Sequence, residues 1–284
     1  MKYAVIDIGS NSVRLMLWAD GPLYKKVCTT RLAEGLSCSG SLCDTAMDRT
    51  VRAVAGFCKE GEQAGAQVLA FATAAVRSAR NGMEFCARVR ALCGVTVEIV
   101  SGGEEALLGL NGALGAADGG IVDIGGASTE VCIRERGRIA FSVSLDIGGG
   151  RLFELCGQDG NRLRAVVRER IEPLAGAVCR GKMCAIGGTA STLASVKLGL
   201  EEYDASKLNG LSLSADYLDE IAARLLTLSV EERKAIPGMD VRRADVIAGG
   251  AVLLAEIVHV LGLQNVIFSD GDNLEGYLAA RGLS

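Results

Sequence analysis

The sequence predicts an α/β protein made of two related domains, each built on a mixed sheet. Three observations predict it. The first is an internal repeat, in which YAVIDIGSNSVRLML at residues 3–17 returns as GGIVDIGGASTEVCI at residues 119–133. Self-similarity at that domain-sized interval is the mark of duplication. The second is that short apolar runs alternate with stretches of helical periodicity in both halves, the pattern of layered α/β structure. The third is size, since 284 residues of which 49% are hydrophobic can form two modest cores.

The elements follow in chain order. Each copy of the repeat reads as an apolar strand entering an aspartate, a small-residue turn, and a second apolar strand, at Val13 to Trp18 or Val131 to Ile133. A hairpin opening each half makes its sheet mixed, because the later strands arrive through helices and so run parallel. Between the copies, Asp44 to Ala64 and Met83 to Leu92 carry helical periodicity, while AQVLAFAT and VTVEIVS read as strands. The glycine-rich break LGAADGG places the domains at 1–116 and 117–284. Beyond it, Arg162 to Val178, Ala215 to Thr227 and Ala244 to Leu261 read as helices, and MCAIGG and NVIFSD as strands. The last helix, about 274–284, belongs to the second domain or packs back on the first.

Composition narrows function. A net charge of -4 gives no overall field to gather nucleic acid or anionic membrane, so any polyanion must be met by a local site. MKYAVIDIGS puts an aspartate and a glycine where an export leader needs an unbroken apolar run, and no later stretch reaches the length of a membrane span. The expectation is a cytoplasmic protein with no membrane partner. Ten cysteines without a CxxC pair read as small buried apolar residues, not as disulfides or a zinc site. The single histidine, His259, lies in the apolar run AVLLAEIVHVLGL, which disfavours Ser/His and Cys/His catalysis.

Four glycine turns end strands: DIGSNS from Asp7, DIGGAST from Asp123, DIGGG from Asp146 and IGGTAST from Ile186. Glycine lets backbone N–H groups approach an anion, and hydroxyls add donors, so such turns suit phosphate. Asp7 and Asp123 would be hard oxygen ligands for Mg²⁺. In EIVSGGEEALLG, Ser101 and Glu104 fit a helix capping box, which accounts for Glu104. Glu105 is not needed for the cap; it either answers the helix dipole or faces a cleft between the halves. Arg77 follows a strand and either meets phosphate or points into solvent, and Arg14 and Arg151 are weaker candidates of the same kind.

Together, AVIDIGSNSVRLML, FATAAVRSARN, EIVSGGEEALLGL, GIVDIGGASTEV, AIGGTASTLA, RADVIAGGAVLL and FSDGDNLEG resemble the exopolyphosphatase/guanosine pentaphosphatase family, in family order and across nearly the whole chain. The resemblance implies two ribonuclease H-like domains of the actin-like ATPase superfamily with the site in the cleft between them. It implies that Glu105 activates water, that Glu130 joins Asp123 as a second acidic residue, and that Arg77 is the family's arginine. Its phosphate turns fall on Gly9, Ser10, Asn11 and Ser12 and on Gly125, Gly126, Ala127 and Ser128, with Gly187, Gly188 and Thr189 in a third. The implied substrate is inorganic polyphosphate or guanosine pentaphosphate, the cofactor Mg²⁺, and the assembly a homodimer.

The chain departs from the family pattern at Ala127, where glycine is usual, at the triple glycine of SLDIGGGRLFE, and at Asn273 and Leu274, where leucine and arginine are usual. It also lacks the helical C-terminal region of the longer members, which favours shorter substrates or lower processivity. Two other readings stay open: an ATP-dependent kinase or ATPase of the same superfamily, and a sensor that binds an alarmone or nucleotide without turnover.

Overall fold

The computed structural model describes all 284 residues. They form two compact units, one of Met1–Gly112 with Asn273–Ser284 and the other of Ala113–Asp272. The division falls inside the helix Gly102–Leu114, just ahead of the glycine-rich break, and the last helix belongs to the first unit.

The first sheet consists of β1 (Tyr3–Ile8), β2 (Ser12–Trp18), β3 (Pro22–Thr29), β4 (Gln67–Ala72) and β5 (Val97–Ile99), in the order β3-β2-β1-β4-β5. β1 pairs antiparallel with β2 and parallel with β4. The second consists of β6 (Gly119–Ile124), β7 (Thr129–Glu135), β8 (Arg138–Leu145), β9 (Met183–Ile186), β10 (Ser212–Ser214) and β11 (Asn265–Phe268), in the order β10-β11-β9-β6-β7-β8. Apart from the added antiparallel strand β10, the second order repeats the first, so the duplication seen in the sequence is also a duplication of topology. The expected α/β class with mixed sheets is what the chain adopts.

Central strands β1 and β6 are buried along their whole length, which is why they read as apolar runs rather than as alternation. The helix Asp44–Gln63 lies so close to β1 that a Cβ on Gly61 would stand 2.6 Å from that of Ala4. Three strands, β3, β8 and the short β10, escaped the sequence reading. β3 and β8 return from β2 and β7 through tight turns at Asp20-Gly21 and Arg136-Gly137, where the non-glycine residues take φ of 56° and 52°. β3 is half exposed or more and carries little core signal, whereas β8 turns Phe141, Val143 and the buried Leu145 toward the core. One helix is shorter than its periodicity implied: Gly160–Arg170 stops where Pro173 forces the chain into a 3-10 turn at Glu172–Leu174, whereas Arg162 to Val178 was expected.

The last helix, Asn273–Ala279, completes the first unit. Leu274, Tyr277 and Leu278 are buried with Tyr3, Val5, Phe71, Val100 and Leu108. Tyr277 stacks on Phe71 at 4.6 Å and donates to Glu98 at 2.8 Å, and Arg281 covers its other face at 3.4 Å. A Cβ at Gly276 would lie 1.9 Å from the Leu108 carbonyl oxygen, so this helix crosses the Gly102–Leu114 helix backbone to backbone. No helix is long and apolar enough to cross a membrane.

Candidate active site

In both units the singled-out residues lie at the carboxyl ends of the parallel strands, where ligands bind in open α/β sheets. In the first unit β1 ends in Gly9–Ser12, β4 runs through Thr73 into the short helix Ala74–Ser78, and β5 runs through Val100 into the helix Gly102–Leu114. Backbone bonds from Thr73 N–H to the Ile8 carbonyl and from Val100 N–H to the Ala72 carbonyl keep these ends level.

The capping box forms as the sequence implied. Glu104 accepts from the Ser101 N–H at 2.7 Å, and its own N–H donates to Ser101 Oγ at 3.2 Å. The Ser101 backbone bond holds the Glu104 carboxyl below the usual carboxylate range. Glu105 takes no part in that cap and is 6% exposed. Its partner is Arg77, whose Nη1 donates to Glu105 Oε2 at 2.9 Å and to the Val100 carbonyl at 2.9 Å. Both bonds use Nη1, and the side chain is 25% exposed, so Arg77 fixes Glu105 with one nitrogen and keeps the rest of its fork for another partner. A buried carboxylate needs such a partner, and here one arginine fastens it to the strand end.

Asp7 presents Oδ2 to Arg14, whose Nε donates at 2.9 Å. A cation on Oδ2 would have to displace that guanidinium, which leaves the buried Oδ1 as the oxygen through which Asp7 could meet Mg²⁺. The equivalent place in the second unit is different. Asp7 faces Arg14 across β1 and β2, whereas Asp123 faces Glu130 across β6 and β7 in the same register. Both carboxylates are buried, and Glu130 accepts from Ser144 Oγ at 2.7 Å. Like charges at facing positions oppose each other. Two buried oxygen donors suit a hard divalent ion that keeps several waters and takes substrate phosphates, so this pair fits the implied cation.

The turns Gly9–Ser12 and Gly125–Ser128 share one geometry, each closed by a backbone bond of 3.0 Å from its first N–H to its last carbonyl. Ala127 stands where the first turn has Asn11 and is buried. The segment Gly148–Gly150, read as a fourth phosphate turn, does something else. Its backbone lies against the second turn, a Cβ on Gly148 would meet the Gly125 carbonyl oxygen at 2.6 Å, and Gly149 opens the helix Gly149–Cys156. Three glycines occur there because backbone packs on backbone.

The third turn is divided in role. Gly187 has φ of +79° and touches Asp123, whose Oδ1 would lie 2.3 Å from a Cβ. Thr189 Oγ1 donates to the Ile124 carbonyl at 3.2 Å, so that hydroxyl ties β6 to the following helix rather than facing a ligand. Gly188 is overlain by the guanidinium of Arg243, whose Cζ would be 2.0 Å from a Cβ there. Arg243 was not among the sequence candidates. The signal was present in DVRRADV, an arginine pair after an aspartate, but its approach to Gly188 is a tertiary contact. Asp240 steers it: the carboxylate binds Arg242 at 2.8 Å and lies 3.7 Å from Arg243 Nε.

Residues 21–282 match the sequence profile of the Ppx/GppA phosphatase family. The chain is 31% identical to exopolyphosphatase 2 of Mycobacterium tuberculosis over 97% of both proteins. Among solved structures it resembles an exopolyphosphatase from Cytophaga hutchinsonii, with TM-score 0.86 and 25% identity over 100% of this chain and 99% of the other. It also resembles the Aquifex aeolicus member of the Ppx/GppA family, with TM-score 0.80 and 26% identity over 100% of this chain and 98% of the other.

Proposed function

Because the chain belongs to the Ppx/GppA phosphatase family, we propose that it hydrolyses the terminal phosphoanhydride of inorganic polyphosphate and releases orthophosphate. The observation that carries this reading is Glu105, a buried carboxylate at a strand-to-helix junction, excused from helix capping by Glu104 and fastened by Arg77. A near relative named as an exopolyphosphatase supports the choice of substrate.

Glu105 orients a water and accepts its proton as the oxygen attacks the terminal phosphorus. The bond from that phosphorus to the bridging oxygen breaks, orthophosphate departs, and the shortened chain keeps the bridging oxygen. Phosphoryl transfer demands positioning and charge neutralisation more than a strong base, so a carboxylate held beside an arginine is adequate. In the unit that holds Glu105, the N–H groups of Gly9–Ser12 receive phosphate oxygens. In the other unit Gly125–Ser128 offers the same donors, and Asp123 and Glu130 would hold Mg²⁺, which when bound supplies positive charge to phosphate.

The test is orthophosphate release, with Mg²⁺ present, from long polyphosphate, short polyphosphate, guanosine pentaphosphate and ATP, comparing the wild type with Glu105→Gln. Release from polyphosphate that falls by about 10²–10⁴-fold in the variant supports the reading. Preference for guanosine pentaphosphate would rename the substrate within the same chemistry. Binding of the nucleotides without release from any substrate would overturn turnover and leave a sensor.

A further inference from the structure

We propose that Arg49, on the helix Asp44–Gln63, is a positioning residue that sets the aim of the first phosphate turn. The proposal rests on the reading of Gly9–Ser12 as phosphate-binding. The Ser10 carbonyl accepts from the Ala33 N–H at 2.9 Å, and the Asn11 carbonyl accepts from the N–H groups of Thr30 and Arg31 at 3.0 and 2.8 Å. A trans peptide is planar, with its N–H opposite its C=O, and the chain has no cis bond. Fixing those two carbonyls toward residues 30–33 therefore turns the N–H groups of Asn11 and Ser12 the other way.

The second unit uses a related device one peptide earlier in its turn, which aims the N–H groups of Gly126 and Ala127. Gly149 and Arg151 donate to the carbonyls of Gly125 and Gly126 at 3.0 and 2.9 Å. There the clamp is the start of the helix Gly149–Cys156 and is stiffened by that helix's own ladder. In the first unit the clamp is irregular chain. Arg31 takes φ of +51°, and the buried Thr30 hydroxyl has no hydrogen-bond partner. Both features are unfavourable and persist only where other contacts impose them. Arg49 supplies those contacts: Nε donates to the Thr30 carbonyl at 2.5 Å, and Nη2 lies 3.5 Å from the Arg31 carbonyl and 3.0 Å from Glu34. A planar fork can reach two successive carbonyls at once, which an ammonium cannot.

The experiment compares wild type, Arg49→Met and Arg49→Lys, with Arg88→Met as control, because Arg88 is salt-bridged to Asp44 and Asp48 of the same helix and to Glu84, and not to residues 30–33. Arg49→Met should raise KM for polyphosphate by about 10–100-fold with kcat within about threefold, since the turn grips ground and transition states alike. Amide exchange at residues 10–12 and 30–33 should accelerate at least tenfold, with Arg49→Lys intermediate and Arg88→Met unchanged. An active wild type with KM and exchange both unchanged in Arg49→Met overturns the proposal. An inactive wild type overturns the proposed function, and exchange then decides the clamp alone: faster supports it, unchanged overturns it. Should Arg49→Met fail to fold, Arg49→Lys carries the same two readouts.

Discussion

Gly276→Ala tests how the last helix is seated. The added Cβ would stand 1.9 Å from the Leu108 carbonyl oxygen and 2.6 Å from its carbon. Carbon and carbonyl oxygen approach comfortably only to about 3.3 Å, so the helices must separate by roughly 1.4 Å. The obstacle is backbone on both sides, and no rotamer change relieves it. A gap of that size forfeits much of the dispersion between Leu274, Tyr277, Leu278 and the cluster they enter. The expected loss is about 3 kcal/mol, at the top of the ordinary overpacking range. Trp18, the single tryptophan, packs against this cluster and reports on it by fluorescence. With a urea m-value of about 2 kcal/mol/M, the midpoint of the Trp18 transition should fall by roughly 1.5 M. Gly56→Ala is the control: its Cβ meets nothing within 4 Å in the interior of the helix Asp44–Gln63, so it should stabilise by about 0.5–1 kcal/mol. A Gly276→Ala midpoint equal to wild type would refute the backbone-to-backbone crossing.

Two further predictions concern titrating groups. Burial pushes the Asp240 carboxyl up, but hydrogen bonds from Arg242 outweigh it and hold it below the usual range, so its stabilisation is present above about pH 4 and lost as pH falls through the folded value. Thermal melts should show Asp240→Asn less stable than wild type at pH 6–7, with the gap closing in acid; a gap constant with pH would contradict this. Burial, reinforced by the neighbouring Cys93, pushes the Cys58 thiol up to about 12, whereas Cys38 and Cys43 are exposed. Iodoacetamide at neutral pH should label Cys38 and Cys43 in the folded protein and reach Cys58 only after denaturation, as peptide mass mapping would reveal.

Much of this architecture was legible because its signals are local. The 116-residue repeat exposed the duplication, and Ser101 with Glu104 marked a helix start and thereby isolated Glu105. Most of what escaped depends on partners distant in sequence. β3 is an edge strand whose Lys25 and Lys26 interrupt any apolar alternation, whereas in β8 the alternation of Ile139, Phe141, Val143 and Leu145 stands in the sequence as a missed signal. The DIGGG segment has the composition of an anion turn, yet its glycines admit the backbone of Gly125 and Gly126. Thr189 and Arg243 exchange expected importance for the same reason: one hydroxyl is consumed by a neighbouring strand end, and one guanidinium arrives from more than fifty residues away. Arg14 and Glu130 occupy equivalent places in the repeat with opposite charge, which turned one copy into an ion pair and the other into a facing carboxylate pair.

The discontinuous first unit also has a consequence for biosynthesis. Residues 1–112 leave the ribosome with the face formed by Tyr3, Val5, Phe71 and Leu108 uncovered, and its cover is not made until about 160 residues of the other unit have been translated. At bacterial-to-eukaryotic elongation rates that interval is roughly 10–30 s, long compared with the folding of a small domain. The unit translated first is thus the last to be finished, and the nascent chain carries an open apolar surface until its final helix arrives.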